Sequence, residues 1–201
     1  MIDYAIVTIG HSTHSIGAFV ELLRAHKVEL VVDVRSSPFS RRQPQFNREE
    51  LAASLTSHGI EYAFLGRELG GRSTDSRCYV DGRVAYRRVA ETEAFRKGVE
   101  WVRKESLARR LALMCAEKEP LECHRTLLVA RELEAVGALV AHIHADGRLE
   151  LHADAVRRLL DLFGLATNDL FSSASELVEE AYSRQEKRVA YAAGPPGEDA
   201  P

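Results

Sequence analysis

The sequence is poor in the residues that build disulfide scaffolds, metal fingers and membrane spans. Its 201 residues include three cysteines, two methionines, one tryptophan and only five lysines. An odd and sparse set of cysteines (Cys78, Cys115, Cys123) excludes a disulfide framework and fits a reducing compartment, so a cytoplasmic location is expected. There is no apolar run of about 18 residues, so no membrane-spanning helix and no membrane partner are expected. The opening M-I-D-Y-A-I-V-T-I-G has neither a basic segment nor a long apolar core, and no secretory leader is expected. G-x-G-x-x-G, C-x-x-C and H-E-x-x-H are all missing, so no cofactor and no metal set is assigned from motifs.

What is present is an ordinary globular composition, 45% hydrophobic and 28% charged with a net charge of -3. The basic residues are uneven, with 22 arginines among 27. Between Arg35 and Arg88 there are ten arginines, no lysine and six acids. A guanidinium fork fits phosphate and carboxylate, so this stretch reads either as an anion-binding surface or as solvated surface arginine.

Hydrophobic patterning predicts strands over 4–9, 29–34, 60–65 and 111–115 and helices over 16–26, 47–58, 92–106, 126–136 and 153–165. Residues 66–88 read as a long polar loop. Segments 139–145 and 148–151 read as a hairpin around Asp146-Gly147. With a two-residue turn there, His142 and His144 share a face and His152 points away from them. Alternating strands and helices mean an α/β fold, a three-layer Rossmann-like sandwich with a mostly parallel sheet and a C-terminal antiparallel hairpin edge. One domain is expected over 1–165, followed over 166–201 by a helix (175–191) and a flexible tail. The oligomeric state is not legible.

Ligands of parallel α/β sheets bind beyond the carboxyl ends of the strands. The first strand runs into His11 and Ser12, the second ends in Asp33 and Arg35, the third runs into Arg67, and the fourth leads to Glu117 and then Cys123-His124-Arg125. Pro120 suits a helical first turn, which would put Cys123, His124 and Arg125 near free N–H groups that favour a thiolate and an anion. The candidate catalytic set is therefore Cys123 (nucleophile or polariser), His124 (acid or base), Glu117 and Asp33 (acid–base or orienting carboxylates). The candidate anion-binding set is His11, Ser12, Arg35, Arg67 and Arg125, with Arg41 and Arg42 behind Arg35. Asp33 and Glu117 read equally as ion-pair partners of Arg35 and Arg125. Cys115 and Cys123 are separated by seven residues, a spacing that supports neither a tight zinc site nor a redox pair.

Four ordered motifs, T-I-G-H-S (8–12), D-V-R-S-S-P (33–38), L-G-R-E-L-G-G (65–71) and L-M-C-A-E…C-H-R (113–125), resemble the domain-of-unknown-function 488 family over about residues 4–152. The resemblance implies a compact cytoplasmic α/β domain with these as its characteristic residues, and it supplies no reaction. The residues point first to an enzyme, a hydrolase or transferase acting on a phosphorylated or anionic substrate such as a nucleotide or nucleic-acid component. Two other readings stay open: a non-catalytic nucleotide- or nucleic-acid-binding module using residues 35–88, and an interaction scaffold using the C-terminal helix.

Overall fold

The computed structural model describes residues 4–165 and 173–192. Six strands form one sheet in the order β3-β2-β6-β1-β7-β8, comprising β1 (Ile6–Gly10), β2 (Leu30–Asp33), β3 (Glu61–Phe64), β6 (Leu111–Cys115), β7 (Val140–Ile143) and β8 (Leu149–Leu151). All pairings are parallel except β7–β8, which supplies the expected antiparallel edge. The central strands β1, β2 and β6 are buried along their whole length, as unbroken apolar runs require when helices cover both faces.

Side chains alternate between two cores. Ala112 and Met114 of β6 face one layer, built from α1 (Ile16–Ala25) and α2 (Arg48–Ser57) through Phe19, Leu23, Leu51 and Leu55. Leu111, Leu113 and Cys115 face the other, where α5 (Glu93–Glu105), a π-helix (Arg125–Ala130), α6 (Arg131–Ala135), α7 (His152–Leu162) and α8 (Ala174–Val189) pack. The chain leaves β1 toward β2 across the first layer and leaves β6 toward β7 across the second. The adjacent strands β1 and β6 thus form a topological switch point, with a crevice beyond their carboxyl ends.

Helix starts follow local chemistry. Ser15 caps α1 by accepting from the Ala18 N–H, Thr92 caps α5 through Phe95, and Ser173 with Glu176 closes a capping box on α8. The polar stretch 66–88 contains more order than its composition announces: α3 (Gly66–Leu69), a small hairpin of β4 (Tyr79–Val80) and β5 (Arg83–Val84), and the start of α4 (Tyr86–Ala90). The expected helix over 126–136 is instead a fully buried π-helix running into α6.

The β7–β8 hairpin corrects the sequence reading by one residue. His144 pairs with Arg148 around the loop Ala145-Asp146-Gly147, with Gly147 at φ 83°, so His142 lies opposite Glu150 rather than Leu151. His152 opens α7 and turns toward His142 instead of away. Thr8 Oγ1, His142, His152 and Tyr182 form a buried hydrogen-bonded chain, with distances of 2.8, 3.0 and 2.9 Å, that ties the sheet to α7 and α8.

Burial holds both imidazoles neutral. It pushes His142 well below the usual histidine range, helped by the neighbouring His152, and lowers His152 to about 4, helped by Arg131. An unfolded histidine takes up a proton near pH 6.5, whereas the folded His152 resists until about pH 4. This contribution is therefore complete above pH 6.5 and shrinks as pH falls toward 4. The urea midpoint is expected to drop clearly between pH 7 and pH 5, and the drop should be smaller in His152→Gln; a flat wild-type midpoint would refute the coupling.

Candidate functional site

The crevice at the switch point is floored by the loop that follows β6. His11 and Ser12 donate backbone N–H groups to the carbonyls of Cys115 and Ala116, so the β1 and β6 ends stay in register past the strands. Gly10 lets the next turn of chain cross closely, since a Cβ there would sit 1.8 Å from the Glu117 carbonyl oxygen. Pro120–Glu122 then forms a tight turn, with the Glu119 carboxylate accepting from the Leu121 N–H. Cys123 lies after that turn rather than inside a helical first turn. It is extended (φ -137°, ψ 141°), and its carbonyl accepts from the N–H groups of Thr126 and Leu127. Cys123 is thus the cap of the π-helix, and its Sγ takes the Arg125 N–H at 3.4 Å, as an Asp or Ser cap oxygen would.

Around that sulfur the fold gathers four side chains. Cys123 Sγ and Glu117 Oε2 share a hydrogen bond of 3.0 Å. His124 Nδ1 is 3.7 Å from Cys115 Sγ and 3.9 Å from Cys123 Sγ, while its Nε2 bonds the Val34 carbonyl at 2.9 Å. Gly71 packs against the imidazole so closely that a Cβ would meet its Cγ at 2.8 Å. Beneath lies Arg125, completely buried, with hydrogen bonds to Thr8 Oγ1 (3.3 Å), the Glu117 carbonyl (2.7 Å) and the Lys118 carbonyl (3.3 Å). No carboxylate pairs with Arg125 among the described residues.

The electrostatics follow from this crowding. Burial disfavours the Cys123 thiolate, but a hydrogen bond from Cys115 and the positive charges of Arg125 and His124 outweigh it and hold the thiol well below its usual range. Cys115, buried and beside that thiolate, is pushed well above its usual range. Burial and then the Cys123 charge raise the Glu117 carboxyl. Burial opposes a charged His124, yet the Cys123 thiolate and Glu117 raise it.

A second buried charge system adjoins the first. Asp33 accepts from Arg35 Nε (2.9 Å), Arg35 NH2 (2.6 Å), the Arg35 N–H and the Tyr62 hydroxyl (2.8 Å). Arg35 also donates to the Phe46 carbonyl and meets His11 Nε2 at 3.3 Å. His11 stacks on Phe46 at 4.3 Å, and burial followed by the Arg35 charge lowers it to about 4. Of the two sequence readings for Asp33, the geometry therefore displays the ion pair. It is completely buried and not joined to Glu117.

A cavity of about 270 Å³ adjoins these groups, lined by Cys115, Glu117 and His124 together with Arg35, Ser36, Ser37 and Arg72. Tyr86 and Tyr191 close its flank. Ser12 (φ 46°) and exposed Arg67 lie outside this lining, and Cys123 is buried behind it. Arg41 and Arg42 are exposed on the loop before α2. The sequence reading missed Arg72, Tyr86 and Tyr191. Arg72, the residue after L-G-R-E-L-G-G, carried a signal; the two tyrosines arrive by tertiary packing alone.

The Asp33–Arg35 pair makes the rim testable. Asp33→Ala strands a buried guanidinium, and the expected loss is about 3–5 kcal/mol, read as a fall in denaturant midpoint. A loss below about 1 kcal/mol would mean that Arg35 re-solvates freely.

A family model described as "Domain of unknown function DUF488" matches residues 15–131, which span every residue of the cavity lining except Val189 and Tyr191. No curated protein and no solved structure matches the chain.

Proposed function

Because the chain belongs to the DUF488 family, whose description names no reaction, its chemistry has to be read from the site, and we propose an enzyme acting on a small phosphorylated or otherwise anionic substrate, of the nucleotide or nucleic-acid-component class. One observation carries this reading: a carboxyl, an imidazole and a thiol line the same cavity as two guanidinium groups and two serine hydroxyls. Arg72, exposed and stacked over Tyr191 at 4.2 Å, and Ser36 and Ser37 receive the anionic group. Glu117 faces the cavity and acts as proton donor and acceptor at the scissile or transferred bond. His124 is held by the Val34 carbonyl and by Gly71, which orients its ring toward the sulfurs. Cys123, behind the wall at 1% exposure, serves as a buried charge that polarises Glu117 and His124 rather than as the group that meets substrate.

Incubation with nucleoside mono- and diphosphates and sugar phosphates, followed by mass spectrometry, identifies the substrate. On that substrate Glu117→Gln is expected to lower kcat by about 10²- to 10⁴-fold. Arg72→Ala is expected to raise KM about tenfold with kcat little changed. Conversion that is indifferent to Glu117→Gln, or no conversion across the whole panel, would overturn the reading.

A further inference from the structure

The sulfur and nitrogen atoms behind the cavity have a geometry that proton transfer alone does not require. Cys115 Sγ, Cys123 Sγ and His124 Nδ1 lie within 4.8 Å of one another, on residues that are 3%, 1% and 9% exposed. A tetrahedral zinc ion, with bonds of about 2.3 Å to sulfur and about 2.0 Å to nitrogen, holds such donors roughly 3.5–3.8 Å apart. The two sulfur–nitrogen distances are 3.7 and 3.9 Å. From these contacts we propose that Cys115, Cys123 and His124 bind a divalent zinc-type cation, with the position on the cavity side open to Glu117 or to a solvent or substrate oxygen.

Three independent features support the assignment. The first is orientation. A metal-bound histidine characteristically gives its other ring nitrogen to a carbonyl, which fixes the tautomer. His124 Nε2 does this with Val34, leaving Nδ1 toward both sulfurs. The second is charge. Arg125 is a fully buried guanidinium with no carboxylate partner among the described residues. A dication with two thiolates is neutral, so a Glu117 carboxylate at the fourth position would balance Arg125. The third is ligand softness, because two sulfurs and an imidazole select zinc over magnesium or calcium. The linear spacing hid this set, since the cysteines belong to no C-x-x-C; the turn at Pro120–Glu122 folds the second cysteine back onto the end of β6.

Cobalt(II) is the probe, because thiolate ligation gives it a charge-transfer absorption and a tetrahedral site gives intense visible bands. The full-length protein, stripped with chelator, should develop both with one equivalent of cobalt and lose them on addition of zinc. Cys78→Ala should keep the spectrum. Cys123→Ser should lose the charge-transfer intensity and weaken binding by at least about 100-fold, while Glu117→Gln should change affinity by about tenfold or less. Should Cys123→Ser fail to fold, the wild-type protein decides by itself. Zinc should slow alkylation of Cys115 and Cys123 at least tenfold and leave Cys78 unchanged, read by peptide mass spectrometry. A wild-type protein with no thiolate–cobalt absorption, or with cysteine alkylation indifferent to zinc, overturns the proposal. Neither readout uses turnover, so failure here leaves the proposed reaction standing, and failure to find a substrate leaves the metal site standing.

Discussion

The fully buried Arg125 guanidinium is the tie on which the site depends. It reaches three groups in two parts of the chain: Thr8 in the middle of β1, and the carbonyls of Glu117 and Lys118 in the loop after β6. It does so from the start of the π-helix, where its own N–H caps onto Cys123 Sγ. A guanidinium without a carboxylate is a costly group to bury, because its hydration is replaced only by neutral acceptors and the charge persists. The anionic character of Cys123 follows from that demand, whereas burial and the Cys123 charge push the Glu117 carboxyl the other way. The helix that begins at this residue also departs from α geometry, over Arg125–Ala130, as π-turns often do beside functional groups.

Two charge systems, one buried and one reaching the surface at Glu117, divide the labour at the strand ends. The Asp33–Arg35–His11–Tyr62 group is saturated: each acceptor of Asp33 is taken, and Arg35 spends most of its fork on Asp33 and Phe46. It is a rigid rim that fixes where β2 ends and where Ser36 and Ser37 begin. The Cys115–Glu117–Cys123–His124 group is unsaturated, sharing protons among long sulfur contacts and facing the cavity. Unsaturated polar clusters against a cavity are where chemistry is expected; saturated ones build shape.

The parallel strands and the longer helices were legible because each rests on a local signal. Continuous apolar runs mark β1, β2 and β6, and apolar residues at helical spacing mark α1 and α5. The elements that escaped are too short to show a period. The four residues of α3 pack on α5, and the two-residue strands β4 and β5 are held by each other and by the Tyr191 carbonyl, which accepts from the Val84 N–H, rather than by their own pattern. The β7–β8 register slipped because Asp-Gly signals a turn without fixing its length, and one residue moves every side chain to the other face. At the strand ends the motifs singled out Cys123, His124 and Glu117, whose side chains do lie together, but their spacing could not show that Cys115 joins them. Nor could it decide between pairing and anion binding for Arg35, a choice that depends on how Asp33 is solvated.

The same partner-by-partner view shows where the guanidiniums of the arginine-rich stretch are engaged. Arg35 belongs to Asp33, Arg48 lies over Phe64, Arg72 lies over Tyr191 and Arg77 pairs with Asp75. Arg83 holds the Ala190 carbonyl, Arg87 reaches Glu91, and Arg88 holds the carbonyls of Arg77 and Tyr79. Most of these guanidiniums are stitching loops together, work that their five donors do better than a lysine ammonium. A surface that tracks a nucleic-acid backbone needs many cations free to displace counterions. Here Arg41, Arg42 and Arg67 are the residues of this stretch that stand exposed without such a partner among the described contacts. The C-terminal helix is spent in the same way: Leu177, Ala181, Tyr182 and Gln185 face inward, and Gln185 holds the Leu121 carbonyl just ahead of Cys123. Among the described residues, both features thus send side chains toward the crevice: Arg72 and Tyr191 line its cavity, and Gln185 holds the turn that leads to Cys123.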